Sequence, residues 1–201
     1  MSNKIKRCLN CTLPTNFPGI TYNDDGICSI CQNFNKADHL LALDTAQEQL
    51  FKTIDDVKKV REKGLSSYDA IVALSGGKDS CYTLLNLVKQ HELRCLAITV
   101  NNGFLSKQSI LNSNLLCDEL GVDFLLWKPK RNLMNTMYVN SLDTQNKNKG
   151  AIVRASDLCS GCINLINSVM LKEAVSRNIP MIAGGYIAGQ VPKGSCVMKV
   201  E

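Results

Sequence analysis

The sequence predicts an α/β protein: a doubly wound parallel sheet with helices on both faces, preceded by a small N-terminal zinc ribbon. Three observations carry this. From residue 69 onward, short apolar runs alternate with helix-length segments. The first two runs end in Gly-Gly and Asn-Asn-Gly, turn signals suited to a ligand-binding edge. Two Cys-x-x-Cys pairs stand ahead of all of them, in a stretch too poor in apolar residues for a core of its own.

The chain of 201 residues is 45% apolar, 20% charged and 5% aromatic, which excludes a disordered protein and suits one globular domain with an appendage. No stretch approaches the roughly 18 consecutive apolar residues of a membrane span. Met1–Pro14 carries basic residues but no apolar segment of signal-peptide type. The chain is therefore expected to be cytoplasmic, and its ten cysteines to serve metal or redox chemistry rather than disulfides.

The elements follow in order. Residues 1–34 are rich in Cys, Pro, Asn and Asp. Residues 36–63 read as a helix, with Leu40, Leu43, Leu50, Ile54, Val57 and Val60 at helical spacing and Gly64 as its stop. Asp69–Ser75 reads as a buried parallel strand, Asp79–Gln90 as a helix and Arg94–Val100 as a second strand. Ser106–Leu120 is a helix stopped by Gly121, and Val122–Trp127 a third strand. Residues 131–157 are polar, with helical stretches. Cys162–Arg177 reads as a helix, Ile179–Gly184 as a fourth strand and Val197–Val200 as a last short one. Ligands of such sheets bind beyond the carboxyl ends of the strands, where Ser75–Ser80, Asn101–Gly103 and Gly184–Gly185 fall.

Cys8-x-x-Cys11, sixteen residues, then Cys28-x-x-Cys31 supplies four thiolates that can close a tetrahedral zinc shell from two turns. The metal would supply folding energy that the segment lacks. A redox or iron–sulfur site is the competing interpretation.

Ser75-Gly76-Gly77-Lys78-Asp79-Ser80 follows a strand and opens a helix. Two glycines admit a phosphate close to the backbone, and the loop amides and helix N-terminus favour an anion. Ser75 and Ser80 add hydroxyls, Lys78 adds charge, and Asp79 offers an oxygen to Mg²⁺. The loop is not a Walker A motif, because Lys78 is followed by Asp79.

This loop resembles the SGGxDS pyrophosphate loop of the PP-loop (N-type) ATP pyrophosphatases, the adenine nucleotide α-hydrolase-like superfamily, over residues 69–185. The resemblance implies binding of ATP, adenylation of a carbonyl-type oxygen, release of pyrophosphate and displacement of AMP by a nucleophile. It implies that Ser75, Gly76, Gly77, Lys78, Asp79 and Ser80 hold the pyrophosphate. It places Val100, Asn101, Asn102 and Gly103 near adenosine and Gly184 and Gly185 beside the nucleotide. It divides the chain into a zinc ribbon (1–35), a linking helix (36–66) and an ATP-binding domain (67–201), shorter at its C-terminal end than such domains run. The sheet is then expected to be completed by a partner or by a second copy in a homo-oligomer, or the sequence to be truncated. The N-terminal cysteines and Gly189-Gln190-Val191-Pro192 are similar to a branch near the N-acetyl sugar amidotransferases and the sulfur-inserting enzymes.

Cys159-Ser160-Gly161-Cys162 sits at a predicted helix start, and a helix N-terminus favours a thiolate. Arg154 lies five residues back. The position resembles the Cys-x-x-Cys of sulfur-inserting PP-loop enzymes, which implies a persulfide or, with a third ligand (Cys196 or Cys117), a 4Fe-4S cluster. Cys159 and Cys162, with Lys78 and Asp79, are the candidate catalytic residues. Gly184-Gly185-Tyr186-Ile187-Ala188-Gly189-Gln190 lacks the His-Asn-x-x-Asp-Asp stretch of tRNA-thiolating relatives, which weighs against tRNA. From Lys128 to Arg154 six basic residues face one acid, a patch suited to phosphate or RNA.

Three functions compete. Sulfur carried at Cys159 and Cys162, from a sulfur donor, displaces AMP; or ammonia from a separate glutaminase does so; or the chain is a non-catalytic nucleotide- and zinc-binding module. The acceptor is a small molecule or nucleobase, with RNA a further candidate.

Overall fold

A computed structural model describes residues 6–17, 19–142 and 157–186. The chain forms two compact units, Met1–Glu48 and Gln49–Glu201.

The first unit holds the four cysteines and a single-turn helix, α1 (Ser29–Gln32). Isolated antiparallel bridges, Arg7 with Pro14 and Tyr22 with Cys28, define two short ribbons. Among its described residues the buried side chains are Cys8 and Cys28 themselves. Helix α2 (Lys36–Glu62) agrees with the predicted helix to within a residue.

The second unit is a four-stranded parallel sheet in the order β3-β2-β1-β4, built from β1 (Ala70–Ala73), β2 (Cys95–Val100), β3 (Asp123–Trp127) and β4 (Met181–Gly184). The intervening helices are α3 (Lys78–Lys89), α4 (Lys107–Leu120), α5 (Arg131–Leu142) and α6 (Asp157–Ser176). Alternation along the central strands divides the core into two layers. Ala70, Val72 and Leu74 join Ile54 and Val57 of α2, Leu84 and Leu87 of α3, and Cys117 of α4. Ile71, Leu96, Ile98 and Val100 join Val169, Met170 and Ala174 of α6. Helices therefore cover both faces, as a doubly wound sheet requires.

One expected boundary is corrected. Helix α6 begins at Asp157, not at Cys162, so Cys159 lies in its first turn and Cys162 in its second. Gly161 lies inside this helix. A Cβ there would stand 3.5 Å from Met137 and from Ser141 of α5, so the glycine lies where two helices pass closely. The polar stretch after β3 opens with α5, whose Met134 is buried. Arg154, Lys147, Lys149, Gly189–Pro192, Cys196 and the predicted strand Val197–Val200 lie outside the described residues.

One buried charge ties the second unit together at the amino end of the sheet. Asp69, 1% exposed, accepts from Arg94 Nη2 at 2.8 Å, Arg94 Nε at 3.2 Å and the Arg94 N–H at 2.6 Å, and pairs with the Arg61 guanidinium. Burial alone would raise its pKa, but the two guanidiniums and the N–H outweigh burial and hold it at about 2.

Candidate active site

The sheet changes winding direction between β1 and β4. From β1 the chain moves outward to β2 and β3, then returns to the opposite side of β1. The crevice beyond the carboxyl ends of β1 and β4 is where an open α/β sheet binds its ligand. Ser75–Ser80 and Gly184–Gly185 flank it.

The glycine loop is braced from within. The Ser80 hydroxyl accepts from the Ser75 N–H (3.1 Å) and donates to the Gly77 carbonyl (3.1 Å), with the Ser75 hydroxyl 3.0 Å away. It is braced from α4 as well. The Ser109 hydroxyl donates to the Ser75 carbonyl (2.6 Å), and Asn112 Nδ2 to the Gly76 carbonyl (3.2 Å). Gly76 sits at φ +73°, and a Cβ on it would lie 2.1 Å from the Ser109 carbonyl oxygen. Gly77 caps α3 without a side chain, so no side-chain oxygen takes up the first helical N–H groups. A Cβ on Gly185 would come within 2.6 Å of the Ser80 nitrogen, so β4 brings its backbone onto that same first turn. Lys78 Nζ is 2.6 Å from Asp79 Oδ1, both side chains being exposed. The exposed Asp79 carboxylate retains an oxygen suited to Mg²⁺.

The turn after β2 reaches the second cysteine pair. Asn102 Nδ2 donates to Cys162 Sγ at 3.3 Å, and Tyr138 Oη of α5 donates to the Asn102 carbonyl at 3.0 Å. Phe104 meets the Tyr138 ring edge-on, centroids 5.3 Å apart. Burial raises the phenol pKa of Tyr138 and of Tyr186, and the neighbouring Cys162 sulfur adds to both. Cys162 is half-buried and Cys159, one turn earlier, is exposed. Cys117 is not a third ligand: it is buried with α2 and α3 on one face of the sheet, whereas α6 covers the other. Among the described residues the group of three or more candidate metal ligands is Cys8, Cys11, Cys28 and Cys31. Lys128, Lys130 and Arg131 are exposed just past the end of β3.

The N-terminal cysteines fit a metal. Sγ atoms of Cys8, Cys11, Cys28 and Cys31 all lie within 4.8 Å of one another, with Cys8–Cys31 at 4.0 Å and Cys11–Cys28 at 3.6 Å. A tetrahedral zinc with Zn–S near 2.3 Å wants its sulfurs about 3.8 Å apart. The Cys11 N–H, aided by those of Cys28 and Asn10, holds the Cys8 thiol at about 6. Cys31, crowded first by Cys11 and by the other sulfurs, is pushed up to about 12. Four such sulfurs ionise together only around a cation, and a closed shell leaves no open position for catalysis. Chelation at neutral pH is expected to release one zinc per chain. Amide exchange of residues 6–33 should then rise to unfolded rates, while β1 and β2 stay protected; hydrogen exchange by mass spectrometry checks both. Retained protection in residues 6–33 after zinc loss would show that the ribbon does not depend on the metal.

Fold and loop together define the class: a doubly wound α/β protein with a Ser-Gly-Gly-Lys-Asp-Ser loop at its winding reversal, in a chain that also carries a four-cysteine group of zinc-ribbon geometry. No family model matches the chain. A curated relative, an uncharacterized protein of Methanocaldococcus jannaschii, is 27% identical over 119 residues, 59% of this chain and 38% of its own length. Several solved structures are similar, and three illustrate the range. NH3-dependent NAD synthetase from Campylobacter jejuni gives 14% identity and a TM-score of 0.46, over 68% of this chain and 55% of that one. NMN synthetase from Francisella tularensis gives 13% and 0.45, over 75% and 67%. The U34-tRNA thiolase NcsA from Methanococcus maripaludis, with its 4Fe-4S cluster, gives 16% and 0.40, over 90% and 54%. The chain thus spans under two fifths of the curated relative and just over half of two of the three structures.

Proposed function

We propose that this protein uses ATP to adenylate a carbonyl-type oxygen, and that sulfur borne at Cys159 and Cys162 then replaces the AMP. The observation that carries the sulfur half is the Asn102–Cys162 contact of 3.3 Å, which brings a thiol to the carboxyl end of β2, beside the nucleotide crevice.

The loop amides and the first turn of α3 receive the β- and γ-phosphates, with Lys78 adding charge. Mg²⁺ held by Asp79 would neutralise phosphate oxygens. Val100–Gly103 and Gly184–Gly185 enclose the nucleoside side. The acceptor oxygen attacks the α-phosphorus, and the bond to pyrophosphate breaks. Sulfur then attacks the acceptor carbon, forming C–S and releasing AMP with its bonding pair. When that sulfur is the outer atom of a Cys162 persulfide, the Cys159 thiolate attacks the inner sulfur. This frees the thiocarbonyl and leaves a Cys159–Cys162 disulfide, which an external dithiol reduces. Lys128, Lys130 and Arg131 favour an acceptor that carries phosphate, a nucleotide or RNA.

The test measures Mg-ATP binding and pyrophosphate release in protein purified without oxygen, with polysulfide supplying sulfane sulfur to the Cys162 thiolate and small-molecule extract or bulk RNA as acceptor. Asp79→Ala is expected to weaken ATP binding at least ~10-fold, the scale of one lost charged contact. Cys162→Ser should bind ATP normally and form no thiocarbonyl. Full turnover of Cys162→Ser with ammonium would put ammonia in place of sulfur and require a glutaminase partner. ATP bound but never cleaved would make the chain a binding module. Iron, sulfide and zinc, counted in the native protein and in Cys159→Ala, decide whether a cluster accompanies the pair.

A further inference from the structure

We infer that Asn102 is a positioning residue whose side-chain N–H group fixes the Cys162 sulfur at the carboxyl edge of the sheet; the inference rests on Cys162 being the sulfur-bearing thiol.

The Asn102 side chain is committed at both ends. Its Oδ1 accepts from the Phe104 N–H at 3.0 Å, which fixes the orientation of the amide and turns Nδ2 toward Cys162 Sγ at 3.3 Å. The loop behind it is equally held. Asn101 donates its N–H to the Trp127 carbonyl at 2.8 Å and accepts the Gly103 N–H on Oδ1 at 3.0 Å. The Tyr138 hydroxyl holds the Asn102 carbonyl from α5. Two successive asparagine turns, anchored to β3 and α5, make a rigid mount rather than a mobile loop. A donor on a rigid mount selects one rotamer of the half-buried Cys162 and leaves the sulfur's remaining lone pairs to face the acceptor. Such aim matters, because displacing a reacting atom by about 1 Å costs on the order of 10²-fold in rate.

Asparagine has a useful isostere here. Asn102→Asp keeps the oxygen that accepts from Phe104, so the turn survives, but it removes the donor to sulfur. Asn102→Ala removes both. The readout is carbamidomethylation of the free protein by iodoacetamide at one fixed pH, with Cys162 and Cys159 followed separately by peptide mass spectrometry. Asn102→Asp is expected to slow Cys162 by about fivefold or more, the effect of one lost hydrogen bond, while Cys159 stays within about twofold. Wild-type Cys162 reactivity in Asn102→Asp, with slowing confined to Asn102→Ala, would overturn the inference and leave Asn102 a turn former only. The assay contains no nucleotide, so it is independent of the proposed reaction. ATP binding is measured on the same samples. Slowed Cys162 in Asn102→Asp together with a wild-type protein that binds no ATP would sink the adenylation reading and leave the positioning role standing.

Discussion

Gly76→Ala is expected to abolish tight ATP binding while leaving the sheet folded. Two penalties coincide at this residue. Its φ of +73° is the left-handed region, and its Cβ would lie 2.1 Å from the Ser109 carbonyl oxygen and 2.8 Å from its carbon. The obstacle is the backbone of α4, whose Ser109 and Asn112 side chains hold the loop carbonyls, so it cannot turn aside as a side-chain tip would. Either the loop leaves its conformation or α4 retreats, and each disassembles the phosphate cradle. The conformational part alone is worth about 1–3 kcal/mol. With the clash added, ATP affinity should fall at least ~100-fold, about 2.7 kcal/mol. Gly121→Ala is the control: φ is +63° at the end of α4, but a Cβ there meets nothing within 4 Å. It should cost about 1 kcal/mol of stability and leave ATP binding unchanged. Calorimetric titration of both variants reads the difference. Near-normal ATP affinity in Gly76→Ala would mean that the loop binds in another conformation.

Asp69→Ala should strongly destabilise the second unit. The carboxylate is buried, whereas Arg61 and Arg94 are 30% and 45% exposed, so water recovers part of what the guanidiniums lose. Breaking a buried pair costs about 3–5 kcal/mol, and this partial exposure places the expectation near 3. That is a fall in Tm of roughly 6–12 °C for a unit of this size. The pH dependence has a definite sign. Asp69 is depressed to about 2 in the folded protein, below its unfolded value near 3.8. Its contribution is therefore fully present above about pH 4 and is lost as pH falls toward 2, by about 2 kcal/mol. Asp69→Ala should lack that acid dependence, which denaturant melts at pH 5 and pH 3 would reveal. Equal loss of stability in wild type and variant over that window would contradict the assignment.

The residues of the candidate site were largely legible in sequence, because each is announced by local chemistry. A strand followed by Gly-Gly-Lys-Asp-Ser, paired cysteines and Asn-Asn-Gly are short patterns with few physical uses. What binds Asn102 to Cys162 was not legible. The two are 60 residues apart, and neither type signals the other. Ser109 and Asn112 belong to the same class: polar positions on a helix, until the helix lies against the loop. Asp69 looked like the first residue of a strand, and its partners come from α2 and from the turn before β2.

Local sequence was enough to mark most of the elements, the four-cysteine group and the glycine loop. Apolar periodicity, glycine at left-handed positions and thiol spacing are read within a few residues of themselves. Strand order, and with it the crevice between β1 and β4, emerged from tertiary packing. That packing set Cys117 on the face away from α6, extended α6 back to Asp157 through Gly161, and joined Asn102 to Cys162. Those outcomes depend on which layers cover which face of the sheet, and on backbones that approach only after the layers close. No local signal encodes them, because the energy that selects them is the burial of Ile71, Ile98 and Met170 on one face and of Val72, Leu84 and Cys117 on the other.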